Sequence, residues 1–265
     1  KKRCIVTNEE FLQLYTVQKT GSAAQRLRAR DALTPYRVKN AVLMAAGYGS
    51  RLAPITDQIP KGLLRIRGEV LVERQIEQLV EAGVADIFLV TGYRSEQFAY
   101  LGTHPHVHIV KNPDYHRYNN TSSLYRVLDE LDNTYICSAD NYFTKNVFAP
   151  YVYRSYYAAT YRDEPTEEYY LSVDADDRII DVQIGGTRGW HMMGQVYFAC
   201  SFSEQFRRLF KRAYETDSTV REQLWEQFYM RHLDELALYR KCYSQGVVYE
   251  FDTLSDILAF DPKFR

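Results

Sequence analysis

The chain has 265 residues, 46% of them hydrophobic, enough to bury one large core or one core with a small appendage. Its net charge of −1 exerts no overall pull toward nucleic acid, and no apolar run has the length to cross a bilayer or the pattern of a signal peptide. Cys4, Cys137, Cys200 and Cys242 lack C-x-x-C spacing and histidine partners, which argues against a zinc site or a disulfide framework and for a soluble protein of the reducing cytoplasm.

The charge is unevenly spread. Residues 1–39 hold nine Lys/Arg against three Asp/Glu, a net of +6, which leaves −7 for residues 40–265. In this first segment Thr7 and Glu10 have capping-box spacing ahead of "FLQLYTVQK", Gly21 is a stop signal, and "SAAQRLRARDAL" reads as a second short helix before Pro35. Arg26, Arg28 and Arg30 cluster on that second element, as in a helix-turn-helix remnant, but no third helix or wing follows. Residues 1–39 are therefore expected to be a solvated helical appendage and linker, and nucleic acid is not an expected partner.

From Val38 onward strands alternate with helices. The continuous apolar run "NAVLMAA" (40–46) reads as a strand buried on both faces, and "LVERQIEQLVEAG" places Val72, Ile76, Leu79 and Val80 on one helical face before Gly83. The runs "DIFLVTG", "VHIVKN" and "TYICSAD" are further short strands, with helical "SEQFAYL" and "SSLYRVLDEL" between them. After Asp140 come consecutive strand-like runs, "YYAATYRD", "YYLSVDA", "RIIDVQIGG" and "MGQVYFA", with a turn at Asp174, Asp176 and Asp177. Helices near 202–214 and 219–236 and a last strand "VVYEFD" close the chain. The expected fold is α/β: a Rossmann-like, mainly parallel sheet flanked by helices, with a small antiparallel extension.

In such a sheet, ligands bind at the carboxyl ends of the strands, where "AAGYGSRLAPITDQIPKG" (45–62) follows the first one. A Walker loop would need Gly-Lys-Ser/Thr opening a helix, and Lys61 comes ten residues after Arg51 and precedes Gly62. A dinucleotide fingerprint would need a third glycine, where Leu52 stands. What remains is a loop whose glycine amides approach a phosphate closely, with Arg51 as a bidentate clamp and Lys61 as a second cation. The ligand such a loop suits is a polyphosphate.

The run from Gly47 through Thr56, continued by Pro60-Lys61, resembles the signature of nucleotidyltransferases that join an NTP to a sugar phosphate or alcohol phosphate, with Ser50 where Thr is more usual. With "NNTSSLY", "SADNYF" and "VYEFDTLSD", residues 40–262 are similar to the bacterial phosphocholine cytidylyltransferases, some of which carry a preceding helix-turn-helix segment and a following choline-kinase domain. The resemblance implies CMP transfer from CTP to phosphocholine with loss of pyrophosphate, and a choline-kinase domain beyond Arg265 is one of its expectations. It implies Mg²⁺, with Asp140 and Asp252 as the metal aspartates, each at the end of an apolar strand. It also implies Arg51 and Lys61 as the catalytic cations and Ala45, Ala46, Gly47, Tyr48, Gly49 and Ser50 as the nucleotide loop. Gly92, Tyr93, Asn119, Asn120, Ser122 and Ser123 become candidates for the base, although Asn119-Asn120 also reads as a turn and Ser122 as a helix cap.

A quaternary ammonium has no N–H to donate, so the implied acceptor calls for aromatic faces and a carboxylate. Glu168, Tyr169, Trp190, Tyr197, Trp225, Glu226 and Tyr229 are the candidates, most aromatics of an α/β domain being ordinary core residues. Tyr169 stands where members of that family often have Trp. Two alternative acceptors stay open, 2-aminoethylphosphonate and a sugar 1-phosphate, as does a different class of function, a nucleotide-sensing regulatory module.

Overall fold

The computed structural model describes residues 6–264. The buried run of β1 (Asn40–Ala45) lies at the centre of the sheet because apolar side chains on both of its faces must be covered. Ala41, Leu43 and Ala45 enter one core and Val42 enters the other, as the two-residue period of a strand requires. A small hairpin follows, β2 (Arg65–Ile66) and β3 (Glu69–Val70), and leads directly into α3 (Leu71–Glu81), which buries Val72, Ile76 and Leu79 while leaving Val80 half-buried. Then come β4 (Asp86–Thr91), β5 (Val107–Lys111), α4 (Asn120–Arg126), β6 (Thr134–Ser138) and β7 (Asn141–Phe143). Strands β6, β1, β4 and β5 are neighbours and all parallel.

The second half supplies β8 (Tyr156–Arg162), β9 (Thr166–Val173), β10 (Ile179–Gly186) and β11 (Gly189–Phe198). These antiparallel strands continue the same nine-stranded sheet, whose order is β10-β9-β11-β6-β1-β4-β5, with β8 joined to β11. The Asp174–Arg178 segment makes the expected turn between β9 and β10, with Asp177 at φ 65°. Then follow α5 (Cys200–Thr216), α6 (Ser218–Glu222), α7 (Trp225–Met230), β12 (Tyr239–Tyr243) beside β8, β13 (Val248–Glu250) and α8 (Leu254–Phe260).

Three expectations change. The helix expected over 219–236 is broken into α6 and α7, because Gln223 and Leu224 take extended backbone. The segment Ser95–Thr103 winds as a 3₁₀ rather than an α-helix. The last strand, expected to close the chain, is followed by α8, and it pairs antiparallel with β7 in a separate two-stranded sheet that shapes the site.

The first two helices, α1 (Asn8–Thr20) and α2 (Ala23–Leu33), each open with a capping box, from Thr7 with Glu10 and from Ser22 with Gln25. Phe11 and Leu33 pack on Tyr151, with Tyr36 and Tyr153 around them, so the pair is seated on the segment that precedes β8. Cys137 is buried and Cys242 exposed, both as free thiols, and Cys4 lies outside the described residues. No helix among the described residues is long and apolar enough to cross a membrane.

Candidate active site

Residues 46–50 leave β1 at its carboxyl end, as an α/β ligand loop does. A Cβ at Gly47 would meet no atom within 4 Å, so this backbone faces open space. Gly49 is at φ +70°, a conformation that favours glycine, and a Cβ there would lie a tight 3.3 Å from Lys61 Cβ. The 3₁₀ turn Ser50–Leu52 then projects Arg51, whose side chain is 67% exposed, and the turn Lys61–Leu63 returns Lys61 beneath the loop at 13% exposure. Ala45, at the end of β1, Ser50 and Asn119 line the same small cavity of about 360 Å³.

The carboxylates come from two strand ends. Asp140 follows β6, and Glu250 ends β13 two residues before Asp252. Pairing of β13 with β7 sets Glu250 opposite Asn141, so the strand register delivers two acids beside Asp140. One oxygen from each of Asp140, Glu250 and Asp252 lies within 4.8 Å of the others, the spacing of a metal-binding group. Lys61 Nζ sits 2.5 Å from Asp140 Oδ2 and 2.8 Å from Asp252 Oδ1, and Arg51 Nη2 reaches the same Asp252 oxygen at 2.8 Å.

Burial alone would push the Lys61 ammonium down, but Asp140 and Asp252 outweigh it and hold it above the ordinary lysine range. Glu250 is driven well above the usual carboxylate range by burial, then by the charges of Asp140 and Asp252. Asp140 Oδ1 is buried with no hydrogen-bond partner, and three carboxylates are the hard oxygen donors a divalent cation prefers. Glu250 was missed at the sequence level. Its signal is the i, i+2 spacing to Asp252 in "VYEFD", which turns two acids to one side of an extended chain.

On the other flank, Gly92 packs so closely that a Cβ would lie 2.6 Å from Tyr115 Cβ, and Tyr93 N donates to Ala46 O at 3.0 Å. Tyr93 OH donates to Thr56 O at 2.9 Å, and the Tyr48 ring meets Tyr93 edge-on while its hydroxyl donates to Asp57. Asn119 caps α4, accepting from Asn120 N at 2.8 Å, so the helix starts before Ser122. Ser122 and Ser123 lie inside the helix, buried, and each hydroxyl accepts from Asn112 Nδ2, at 2.8 and 3.1 Å. Buried Asn112 was not singled out in the sequence and organises both serines.

The acceptor candidates separate into groups. Glu226 is buried, with Asn120 Nδ2 donating to it at 3.2 Å and Tyr157 OH at 3.0 Å, and burial pushes its carboxyl up. Trp225 stacks on Tyr157 with ring centres 5.8 Å apart, and its backbone N–H donates to Asn120 Oδ1 at 2.8 Å. Tyr169, half-buried, packs against the same core cluster as Tyr157 and Trp225, and its hydroxyl is pushed up by burial and then by the charges of Glu226 and Glu168. Trp225 and Tyr229 are both fully buried in the core, their ring centres 6.4 Å apart, rather than open to a ligand. Tyr197 packs on the opposite face of the sheet against Tyr135 and Tyr156. Trp190 has Arg240 over its face at 5.0 Å and Tyr161 at its edge, partners that occupy it within the chain. Glu168 lines a larger cavity of about 1050 Å³ that shares Arg51, Glu250 and Asp252 with the small one. His191, also on its wall, is held down at about 4 by burial and the nearby Arg162 charge.

A glycine loop, two cations and a carboxylate cluster at the carboxyl ends of a mainly parallel sheet define the nucleotidyltransferase class. Residues 41–213 match the model of the MobA-like NTP transferase domain, and the chain belongs to that family, among its bacterial cytidylyltransferases. It is 35% identical to the choline-phosphate cytidylyltransferase of Streptococcus pneumoniae over 82% of this chain and 94% of that protein. It is equally 35% identical to the 2-aminoethylphosphonate cytidylyltransferase of Lancefieldella rimae, over 84% of this chain and 92% of the relative. The solved CTP:phosphocholine cytidylyltransferase of S. pneumoniae superposes with a TM-score of 0.82 at 34% identity, covering 86% of this chain and all of that one.

Proposed function

We propose that this chain transfers CMP from CTP to phosphocholine, releasing pyrophosphate and CDP-choline. The observation that carries this reading is the contact of Arg51 and Lys61 with Asp140 and Asp252 directly beneath the glycine loop. An oxygen of the acceptor phosphate is already anionic at neutral pH, so the residues need only position it in line with the α-phosphorus and neutralise charge. Arg51 and Lys61 supply positive charge to the triphosphate, and the loop amides hold its oxygens. Asp140, Glu250 and Asp252 would hold Mg²⁺, which when bound supplies Lewis-acid charge at the phosphate under attack. Gly92, Tyr93, Asn119 and the serines held by Asn112 form the flank assigned to cytosine. Residues 40–265 are read as the catalytic unit and 1–39 as an appendage seated on it.

The choice of acceptor rests on Glu226. Asn120 and Tyr157 already take one acceptor position on each of its oxygens, so it offers a buried negative charge with fewer positions left for a donor. Charge beside the half-buried Tyr169 ring suits a trimethylammonium, whereas a primary ammonium needs acceptors for its three N–H groups. The test is pyrophosphate release from each NTP with phosphocholine, 2-aminoethylphosphonate or glucose 1-phosphate. CTP with phosphocholine should give the highest kcat/KM. A preference for the aminophosphonate would overturn the choline assignment and leave the cytidylyl transfer, and no release with any pair would point to the sensing module.

A further inference from the structure

We propose that Lys61 is the built-in counter-cation of the carboxylate cluster, and that a nucleotide triphosphate must draw it away before a divalent cation can take both Asp140 and Asp252. The inference rests on the metal assignment made under Proposed function and adds an order of events to it. Lys61 Nζ bridges Asp140 Oδ2 and Asp252 Oδ1 at 2.5 and 2.8 Å, and Arg51 covers that same Asp252 oxygen at 2.8 Å. An octahedral magnesium needs its oxygens at about 2.0–2.1 Å and tolerates little distortion, so it cannot share these two atoms with an ammonium at hydrogen-bond distance. Metal entering alone would have to displace cations tethered to the protein itself. Of the oxygens these cations leave open, Asp140 Oδ1 is buried without a partner, so a metal entering alone would meet it and Glu250 but not Asp140 Oδ2 or Asp252 Oδ1.

The fold also supplies the means of release. The Lys61 stem runs directly under Gly49, within 3.3–3.4 Å of where a Cβ would stand, so a phosphate seated on the loop lies against the same side chain that screens the carboxylates. The triphosphate offers Lys61 and Arg51 new anionic partners as they leave, and no charge is stranded in the exchange. Nucleotide and metal therefore strengthen each other's binding, a coupling that must be reciprocal.

The experiment measures Mn²⁺ binding to the nucleotide-free protein, from the electron paramagnetic resonance signal of free Mn²⁺. Lys61→Gln should tighten Mn²⁺ binding about tenfold over the unmodified protein. Arg51→Gln, altered at an exposed side chain, should fold normally and tighten it by a smaller factor, which keeps the test alive if Lys61→Gln is unstable. Arg67→Gln is the control for general electrostatics: its guanidinium is held by the Phe260 carbonyl at 2.8 Å, and its removal should leave Mn²⁺ affinity unchanged. Equal tightening by all three variants, or no tightening by Lys61→Gln and Arg51→Gln, overturns the inference. Asp140→Asn separates the two levels: if it leaves Mn²⁺ binding intact in the Lys61→Gln background, the metal is not at this cluster and the earlier assignment fails instead.

Discussion

The side proposed for the triphosphate and the side proposed for the acceptor are built on opposite principles. On the phosphate side Arg51, Lys61, Asp140 and Asp252 make direct ion pairs at strand ends, with Arg51 largely in water. On the side proposed for the acceptor, Glu226 is buried and accepts hydrogen bonds from Asn120 of α4 and Tyr157 of β8. A polyphosphate carries several charges and must enter and leave, so its site is made of cations that can change partners. A trimethylammonium carries one charge and no donors, so its recognition depends on an anion kept out of water beside aromatic faces. Substitutions on the two sides should therefore fail differently.

The largest effect is expected from the phosphate side. Lys61→Ala, Asp140→Asn and Asp252→Asn should each lower kcat by about 10²–10³-fold, the loss typical of removing one preorganised charge contact in a transition state. Arg51→Ala should also slow turnover severely while leaving the melting temperature almost unchanged, because a largely exposed ion pair adds little stability. Lys61→Ala should in addition lower the melting temperature, since it leaves clustered carboxylates without their cation. Near-normal turnover in Lys61→Ala and Arg51→Ala would break the assignment of the loop.

The acceptor side sharpens the contrast through pH. Glu226→Gln should raise KM for phosphocholine by about thirtyfold, or roughly 2 kcal/mol for a buried charge partner, with KM for CTP unchanged. Burial raises the Glu226 pKa in the folded protein. An acid raised in this way favours the fold while protonated, and that contribution is lost as pH rises from the ordinary glutamate value, about 4.3, through the folded one. Acceptor binding has the opposite sign, because the cation needs the ionised form. Acceptor affinity should fall as pH drops through the raised value, before ordinary glutamates titrate. The ratio of kcat/KM between unmodified protein and Glu226→Gln removes the titration of phosphocholine itself, and a flat ratio would sink the role given to Glu226.

The same contrast decides what was legible in the sequence. Arg51, Lys61, Gly47 and Gly49 fall within one short stretch, since a single loop makes the cradle, and Asp140 and Asp252 end apolar strands. Glu250 and Asn112 escaped notice because each acquires its place through pairing or packing with distant chain, β13 on β7 for one and α4 for the other. The aromatic candidates suffered most. A tyrosine or tryptophan in an apolar strand has the same pattern whether it meets a ligand or fills a core, and only the face of the sheet separates Tyr197 from Tyr169. The parallel character of the first half was readable from the alternation of elements, while the break between α6 and α7 was not, because Gln223-Leu224 contains no glycine or proline to mark it.

That distinction among aromatics gives a smaller effect to measure. Tyr169→Leu removes a π-face near Glu226 and should raise KM for phosphocholine by an amount equivalent to about 0.5–2 kcal/mol, and Tyr169→Trp should hold or improve it. Trp190→Leu should leave the same KM unchanged, because Arg240 and Tyr161 already occupy that indole. Equal KM changes at both positions would mean that the acceptor reaches Trp190 and that the boundary drawn here is misplaced.

The smallest kinetic effect belongs to the amino-terminal helices. In the capping box of α2, Ser22 Oγ accepts from Gln25 N while Gln25 Oε1 accepts from Ser22 N at 2.8 Å, so two backbone donors lose their partners when the pair is broken. Ser22→Ala should cost about 1 kcal/mol of local stability, seen as faster amide exchange in α2. The helices rest on Tyr151 and Tyr153, ahead of β8, while the phosphate loop hangs from the far end of β1. Loosening α2 should therefore leave both KM values and kcat as they were. A shift in KM for CTP caused by Ser22→Ala would show that residues 1–39 are coupled to the nucleotide side, and it would erase the division between appendage and catalytic unit at residue 40.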